Sequence, residues 1–411
     1  MNLKMNFLKR YTEEDLVNIE EHNFGPFHKV YQWLTFTLTL GLLFPNPASE
    51  RFRLTFIIVL LVTIQPLAVM IFIDMYKCWQ ERDIFNIIRH STIIGPFLGA
   101  FFKMFLMYWK RVQTKSIVDQ INSDHEAFNH LPRKQQDIAF LYIKAGVRNV
   151  ERIWAPLVSV AIMMFPGMAV ILTLYSYTFN DIPKKYMIHE LNPPFSTDPE
   201  DMSRSPYFEV LFVYETGAAI ICVLNYTAYD GLFGVATNHA CMKMSLCCVK
   251  LNDAFACEDQ EEMYRGVLAF IEEQQKMYKF VDLIQEIFNI WLFAILMSTM
   301  IQIGSLLFHI SAGYGFDLRY TLFSFTSVVH IFLPCKHAAT LKSMSTEMAT
   351  MIYISGWERS RDRRVLRMIP FMLARAQVPN YITAFGMFVF DMELFVFILR
   401  TSYSMYTLIR P

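Results

Sequence analysis

The sequence predicts an all-α membrane protein. Seven transmembrane helices leave the N-terminus cytoplasmic and the C-terminus extracellular, and several of them extend into a cytoplasmic anchor domain. Three observations carry this prediction. Hydrophobic residues make up 54% of the 411 and charged residues only 18%, against about a quarter charged in an ordinary soluble domain. Apolar runs of about 20 residues, enough to cross a bilayer as a helix, recur along the chain. Lysine and arginine crowd the segments on one side of those runs and are sparse on the other.

Residues 1–53 read as a cytoplasmic N-terminus. MNLKMNFLKRYTEEDLVNIEE carries charge throughout and lacks the apolar core of a cleavable signal. Residues 27–45 are apolar but short, interrupted by Lys29 and Gln32, and end in FPNPASERFR, which predicts a re-entrant or interfacial helix. The spans fall at 54–76, 84–109, 153–178, 207–234, 284–310, 318–334 and 381–408. Three blocks follow the N-terminal one: 54–238 with spans one to four, 239–380 with the anchor helices and spans five and six, and 381–411 with the last span.

Charge sets the orientation. Of 37 Lys and Arg, eight lie on one side: Lys77, Arg82, Arg89, Lys184, Lys185, Arg204, Arg319 and Arg410. Lys103 and Arg400 fall within spans, and the remaining 27 precede span one or lie in 110–152, 243–279 and 336–375. Those segments are therefore expected to be cytoplasmic. EEMYRGVLAFIEEQQKMYKFVDLIQEIF places Val267, Phe270, Met277, Phe280, Val281 and Ile284 at helical spacing. Residues 344–372 behave alike, broken at Gly356. Long helices packed together below the membrane are expected. The opposite loop, 179–206, is Pro-rich and acidic and is expected to cap spans three and four.

The last span carries Asp391, Glu393, Arg400, Thr401, Ser402, Ser404 and Thr407. Polar groups along a membrane-length helix face protein or water rather than lipid, so this helix is expected to line something. Ser402, Tyr406, Ile409 and Arg410 share a face near its end. Asp391 and Glu393 point to different sides. Either one faces a cation pathway while the other pairs with protein, or both bond within the bundle.

Several functions are expected to be absent. Zero net charge gives no reason to invoke nucleic acid. The seven cysteines are odd in number and form no CxxC, so neither a disulfide framework nor a metal site is expected. There is no nucleophile–base pair or phosphate loop, so no catalytic residue, enzyme activity or cofactor is expected. Lys103 reads as snorkelling or bonding to a neighbouring span, and Asp230 and His239 as joining cytoplasmic contacts.

Four segments together resemble the insect odorant receptor family. SPYFEVLFVYE at 205–215 resembles the start of its span four, and YDGLFGVATNHACMKM at 229–244 that span's cytoplasmic continuation. MIYISGWERSRDRRVLRMIPFMLARAQVP at 351–379 is similar to its penultimate helix, with Trp357 and a basic cluster. TAFGMFVFDMELFVFILRTSYSMYTLIR at 383–410 is similar to its last span. The order and spacing of these segments make the match specific. FLPCKHAATL, near the end of span six, departs from the family pattern. The ending typical of gustatory receptors is absent, and 240–284 is too short for the insert of the family's co-receptor.

The resemblance implies a ligand-tuned odorant receptor subunit: an odorant-gated cation channel in the plasma membrane, with a tetrameric pore lined by the last span. Its partners would be a small volatile odorant, the co-receptor or further copies of itself, and membrane lipids. A gustatory-type channel and a transporter are the alternatives, but no internal repeat supports the transporter. The family's hydrophobic gate falls within 403–410, where Tyr406 aligns best. The ligand site is expected in the outer halves of spans two to five. Span two offers Phe85, Ile88, His90, Ser91 and Thr92. Span three offers Met164, Met168, Leu172 and Tyr175. Span four offers Phe212, Tyr214 and Glu215, and span five Met300, Ile303, Leu307 and His309.

Overall fold

The computed structural model describes residues 22–189, 204–311 and 318–409, with the side chains of His309 and Ile409 left aside. Its helices are α1 Phe27–Val30, α2 Gln32–Leu40, α3 Glu50–Gln80, α4 Ile84–Trp109, α5 Arg111–Phe128 and α6 Arg133–Val147. A π-helical turn, Arg148–Trp154, joins α6 to α7 Ala155–Phe179. Then come α8 Tyr207–Ala256, α9 Gln260–Ser311, α10 Leu318–Tyr353, α11 Arg363–Ala376 and α12 Met392–Ile409. A hairpin of β1 Thr383–Ala384 and β2 Phe388–Val389 precedes α12. Residues 190–203 of the expected acidic cap, and Arg410, lie outside the described residues.

Six of the described helices are long and apolar enough to cross a membrane. The 18 residues of α12 span about 27 Å, close to a hydrocarbon core of about 30 Å. Helices α8 and α9 have 50 and 52 residues, or roughly 75 Å each, so much of each lies beyond a bilayer. The first half of α8 leaves Val210, Val213 and Ile220 exposed, as lipid contact requires. From Tyr229 to Leu251 it is almost entirely buried. There it packs with α9 and α10 around Phe233, Phe280, Phe288 and Trp291. This is the continuous lower bundle that the amphipathic spacing predicts. Gly356 ends the stretch after α10 at φ 88°, a left-handed conformation that glycine adopts without strain.

The segment at 27–45 forms α1 and α2, which bury Phe27, Tyr31, Leu34, Leu38 and Leu43 in the main core. Its nine-residue α2 is too short to cross a membrane.

The last span is shorter than the sequence predicts. Residues 381–390 turn through the hairpin, where Phe385 and Gly386 adopt φ 51° and 67°. The Gln285 side chain holds it, accepting from the Thr383 amide at 2.8 Å and donating to the Thr383 carbonyl at 2.8 Å. Asp391 then accepts from the Glu393 and Leu394 amides at 3.1 and 3.0 Å. An aspartate that satisfies the first amides of a helix starts it there, and this overrides the apolar run before it.

Candidate functional site

A cavity of about 100 Å³ opens among α3, α4, α7, α8 and α10. Leu67 and Ile71 form one wall, Thr92, Ile93, Pro96 and Phe97 another, and Ile162, Phe165 and Pro166 a third. Ala218, Ala219, Cys222 and Phe323 close it. Pro96 and Pro166 sit inside their helices. A proline there removes one backbone hydrogen bond and crowds the preceding turn.

Besides Thr92, two polar side chains meet this apolar surface. His189, from the segment after α7, and Glu215 of α8 both line the cavity. Glu215 is 6% exposed. Neither of its carboxyl oxygens has a hydrogen-bond partner among the described residues, although the His189 amide lies close by. A buried polar group without a partner costs free energy, and a ligand able to bond with it would recover that cost. Behind His189, His90 Nδ1 lies 2.7 Å from His189 Nε2, and His90 Nε2 lies 3.1 Å from Asp74.

Of the residues expected to bind ligand, Thr92 and Glu215 line the cavity. His90 is one hydrogen bond behind it. Ile88 is buried in α4 without lining it. Phe85, Ser91, Met164, Met168, Leu172 and Phe212 are not among its lining residues, and Tyr175 is exposed. Tyr214 donates to the Thr63 carbonyl, bracing α8 against α3. Met300, Ile303 and Leu307 of α9 do not reach it. Spans one and six contribute Leu67, Ile71 and Phe323 to the cavity. The aromatic and methionine content along each helix gave no sign of this, because it does not say which helices become neighbours.

Further along the bundle, Lys103 of α4 is buried against Asp230 of α8, with Nζ 2.6 Å from Oδ1. His330 Nε2 of α10 lies 2.9 Å from the other oxygen, without hydrogen-bond alignment. Lys103 stands over the Tyr226 ring at 3.5 Å, and Trp154 stacks on His330 at 5.6 Å. Lys103 does not snorkel; the second sequence reading, a bond to a neighbouring span, is the one realised.

On α12 the residues expected on one polar face have different surroundings. Ser402 is fully buried and donates to the Ile398 carbonyl. Its backbone meets α9 at Gly304, where an added Cβ would lie 3.2 Å from the Ser402 carbonyl. Tyr406 is half-buried on the flank of this contact. The exposed polar residues Glu393, Arg400, Ser404 and Thr407 lie along one face, shared with the exposed Val396 and Tyr403. Asp391 precedes the helix and pairs with Lys342 at 2.9 Å, so it is a cap and not part of that face. Arg410 and the Ile409 side chain lie outside the described residues.

Comparison with known proteins places this geometry in context. The family model described as 7tm Odorant receptor matches residues 83–403. Odorant receptor 85c of Drosophila melanogaster is 20% identical over 337 residues, covering 81% of this chain and 84% of that receptor. Odorant receptor 13a of the same fly is 24% identical over 221 residues, 49% of this chain and 53% of that receptor, so that match spans about half its length. The solved structure of insect olfactory receptor OR5 from Machilis hrabei in complex with eugenol superposes with a TM-score of 0.75 at 14% identity. It covers 93% of this chain and 97% of that one.

Proposed function

The chain belongs to the 7tm odorant receptor family, and from that premise we propose that it is a ligand-tuned subunit of an odorant-gated cation channel. The cavity carries this reading: its walls are largely apolar, and into it faces the Glu215 carboxyl, whose oxygens have no hydrogen-bond partner among the described residues. It suits a small apolar volatile bearing one hydrogen-bonding group that reaches Glu215. Fixing that group also fixes the ligand's orientation. Binding draws α3, α4, α7, α8 and α10 together. Because α10 and α9 both pack on α12, a shift there reaches the last helix.

In the proposed assembly, four subunits place their α12 helices around one pore, either as copies of this chain or together with a co-receptor, in the plasma membrane. The exposed Glu393, Arg400, Ser404 and Thr407 stripe faces the pathway, and Tyr406 borders it. Charged rings select ions, and apolar constrictions close such pathways by dewetting. The long lower helices hold the subunits together on the cytoplasmic side.

Current recording in cells tests the reading, with this chain expressed alone and with a co-receptor. Odorant-evoked cation current is expected. Glu215→Leu should shift the dose–response for hydrogen-bonding odorants by roughly tenfold or more at equal surface expression, while Glu215→Gln retains part of the response. Unchanged sensitivity in Glu215→Leu would place the ligand elsewhere.

A further inference from the structure

The ends of α3 and α4 bring together three metal-ligating side chains that the proposed gating does not use. Asp74 and Cys78 are four residues apart on α3, so they share a face. His90 approaches from the second turn of α4. One ligand atom from each lies within 4.8 Å of the other two, and all three residues are buried. We propose that Asp74, Cys78 and His90 form a binding site for Zn²⁺.

The donor set selects the ion. Thiolate, imidazole and carboxylate are the ligands of borderline-soft Zn²⁺, and three protein ligands leave a fourth tetrahedral position for water. Tetrahedral zinc holds its ligands roughly 3.3–3.8 Å apart. Side-chain rotations that move the ligand atoms by about an ångström therefore complete the site. Binding replaces the Cys78 S–H bond with an S–Zn bond and releases one proton to solvent.

The surroundings support the assignment. His90 Nε2 already faces Asp74 at 3.1 Å, while Nδ1 lies 2.7 Å from His189 Nε2. A ligating histidine commonly donates its other ring N–H to such an acceptor, which fixes its tautomer. The α3–α4 turn is tightly held: the Asp83 amide donates to the Cys78 carbonyl at 2.9 Å, and the Asp83 side chain accepts from the Asn86 amide at 3.1 Å.

Co²⁺ is the probe, added to the purified full-length chain in detergent after chelation and removal of the chelator. One Co²⁺ per chain is expected, with a thiolate-to-metal charge-transfer band in the near-ultraviolet, one proton released, and displacement by Zn²⁺. Cys78→Ser should abolish the band, while Cys222→Ser should keep it. Asp74→Asn and His90→Gln should each weaken binding at least tenfold, and His189→Ala about tenfold. Size-exclusion profiles check folding. Should Cys78→Ser misfold, Cys78→His supplies the second variant, and it should bind Co²⁺ without the band. Absence of the band in the unmutated protein, or its survival in either Cys78 variant, would overturn the assignment.

Discussion

Replacing Asp230 with alanine should be among the most damaging single changes in the transmembrane bundle. Asp230 holds Lys103 at 2.6 Å and His330 at 2.9 Å, and the residues making these contacts come from three helices. Lys103 is 2% exposed. Its partner's loss would strand an ammonium whose remaining support is the Tyr226 ring at 3.5 Å. Breaking a buried pair by removing one member costs about 3–5 kcal/mol, whereas replacing both members with apolar groups of similar volume is often neutral. At the shallow temperature slope of a large chain, that loss corresponds to a fall in melting temperature of roughly 5 °C or more. The assay is thermal challenge of detergent-solubilised protein, read as the surviving monodisperse fraction by size exclusion. The double variant Lys103→Met/Asp230→Leu should recover most of the loss. If Asp230→Ala melts within a degree of the unmutated protein, or the double variant is no better than the single, the pair is not what secures α4 to α8.

Cysteines at 404 and 407 should react with a charged thiol reagent faster when odorant opens the channel, whereas one at 402 should stay protected; the reverse order would turn α12 the other way. Burial pushes His125 down to about 4, while the unfolded chain takes up that proton near 6.5. The unfolded state binds more protons between those values, so stability is full above pH 6.5 and falls as pH drops towards 4, by about 3 kcal/mol at most. His239, also lowered by burial, acts in the same sense. Melting temperatures across that range should show the decline, and His125→Gln should flatten it; an unchanged pH profile in the variant would assign the decline to other groups. An epitope after Pro411 should be labelled on intact cells and one before Met1 only after permeabilisation; the opposite pattern would reverse the orientation drawn from the lysine and arginine distribution.

Helical periodicity and apolar run length are local properties, so the sequence alone determined the helical class, the positions of the long helices and their continuation past membrane length. Val267, Phe270, Met277 and Phe280 announce a buried face wherever that helix ends up, and all four are buried. Gly356 likewise announces its own break. The shortened last helix was also legible in part. Asp391 inside an apolar run is a capping residue, but only its bonds to the Glu393 and Leu394 amides, and its pairing with Lys342, select capping over a place on the helix.

Which faces meet depends on contacts between residues on different helices, and no local pattern encodes them. The cavity takes Leu67, Ile71 and Phe323 from spans whose composition did not distinguish them, and it omits the methionines of α7 and α9. Ser402 turns inward because Gly304, nearly a hundred residues earlier, lets the two backbones approach. Lys103 finds Asp230 across 127 positions, and Cys78 meets His90 because a tight turn folds α4 back along α3. In each case the sequence supplied the chemical group, and the packing of helix against helix decided what that group faces.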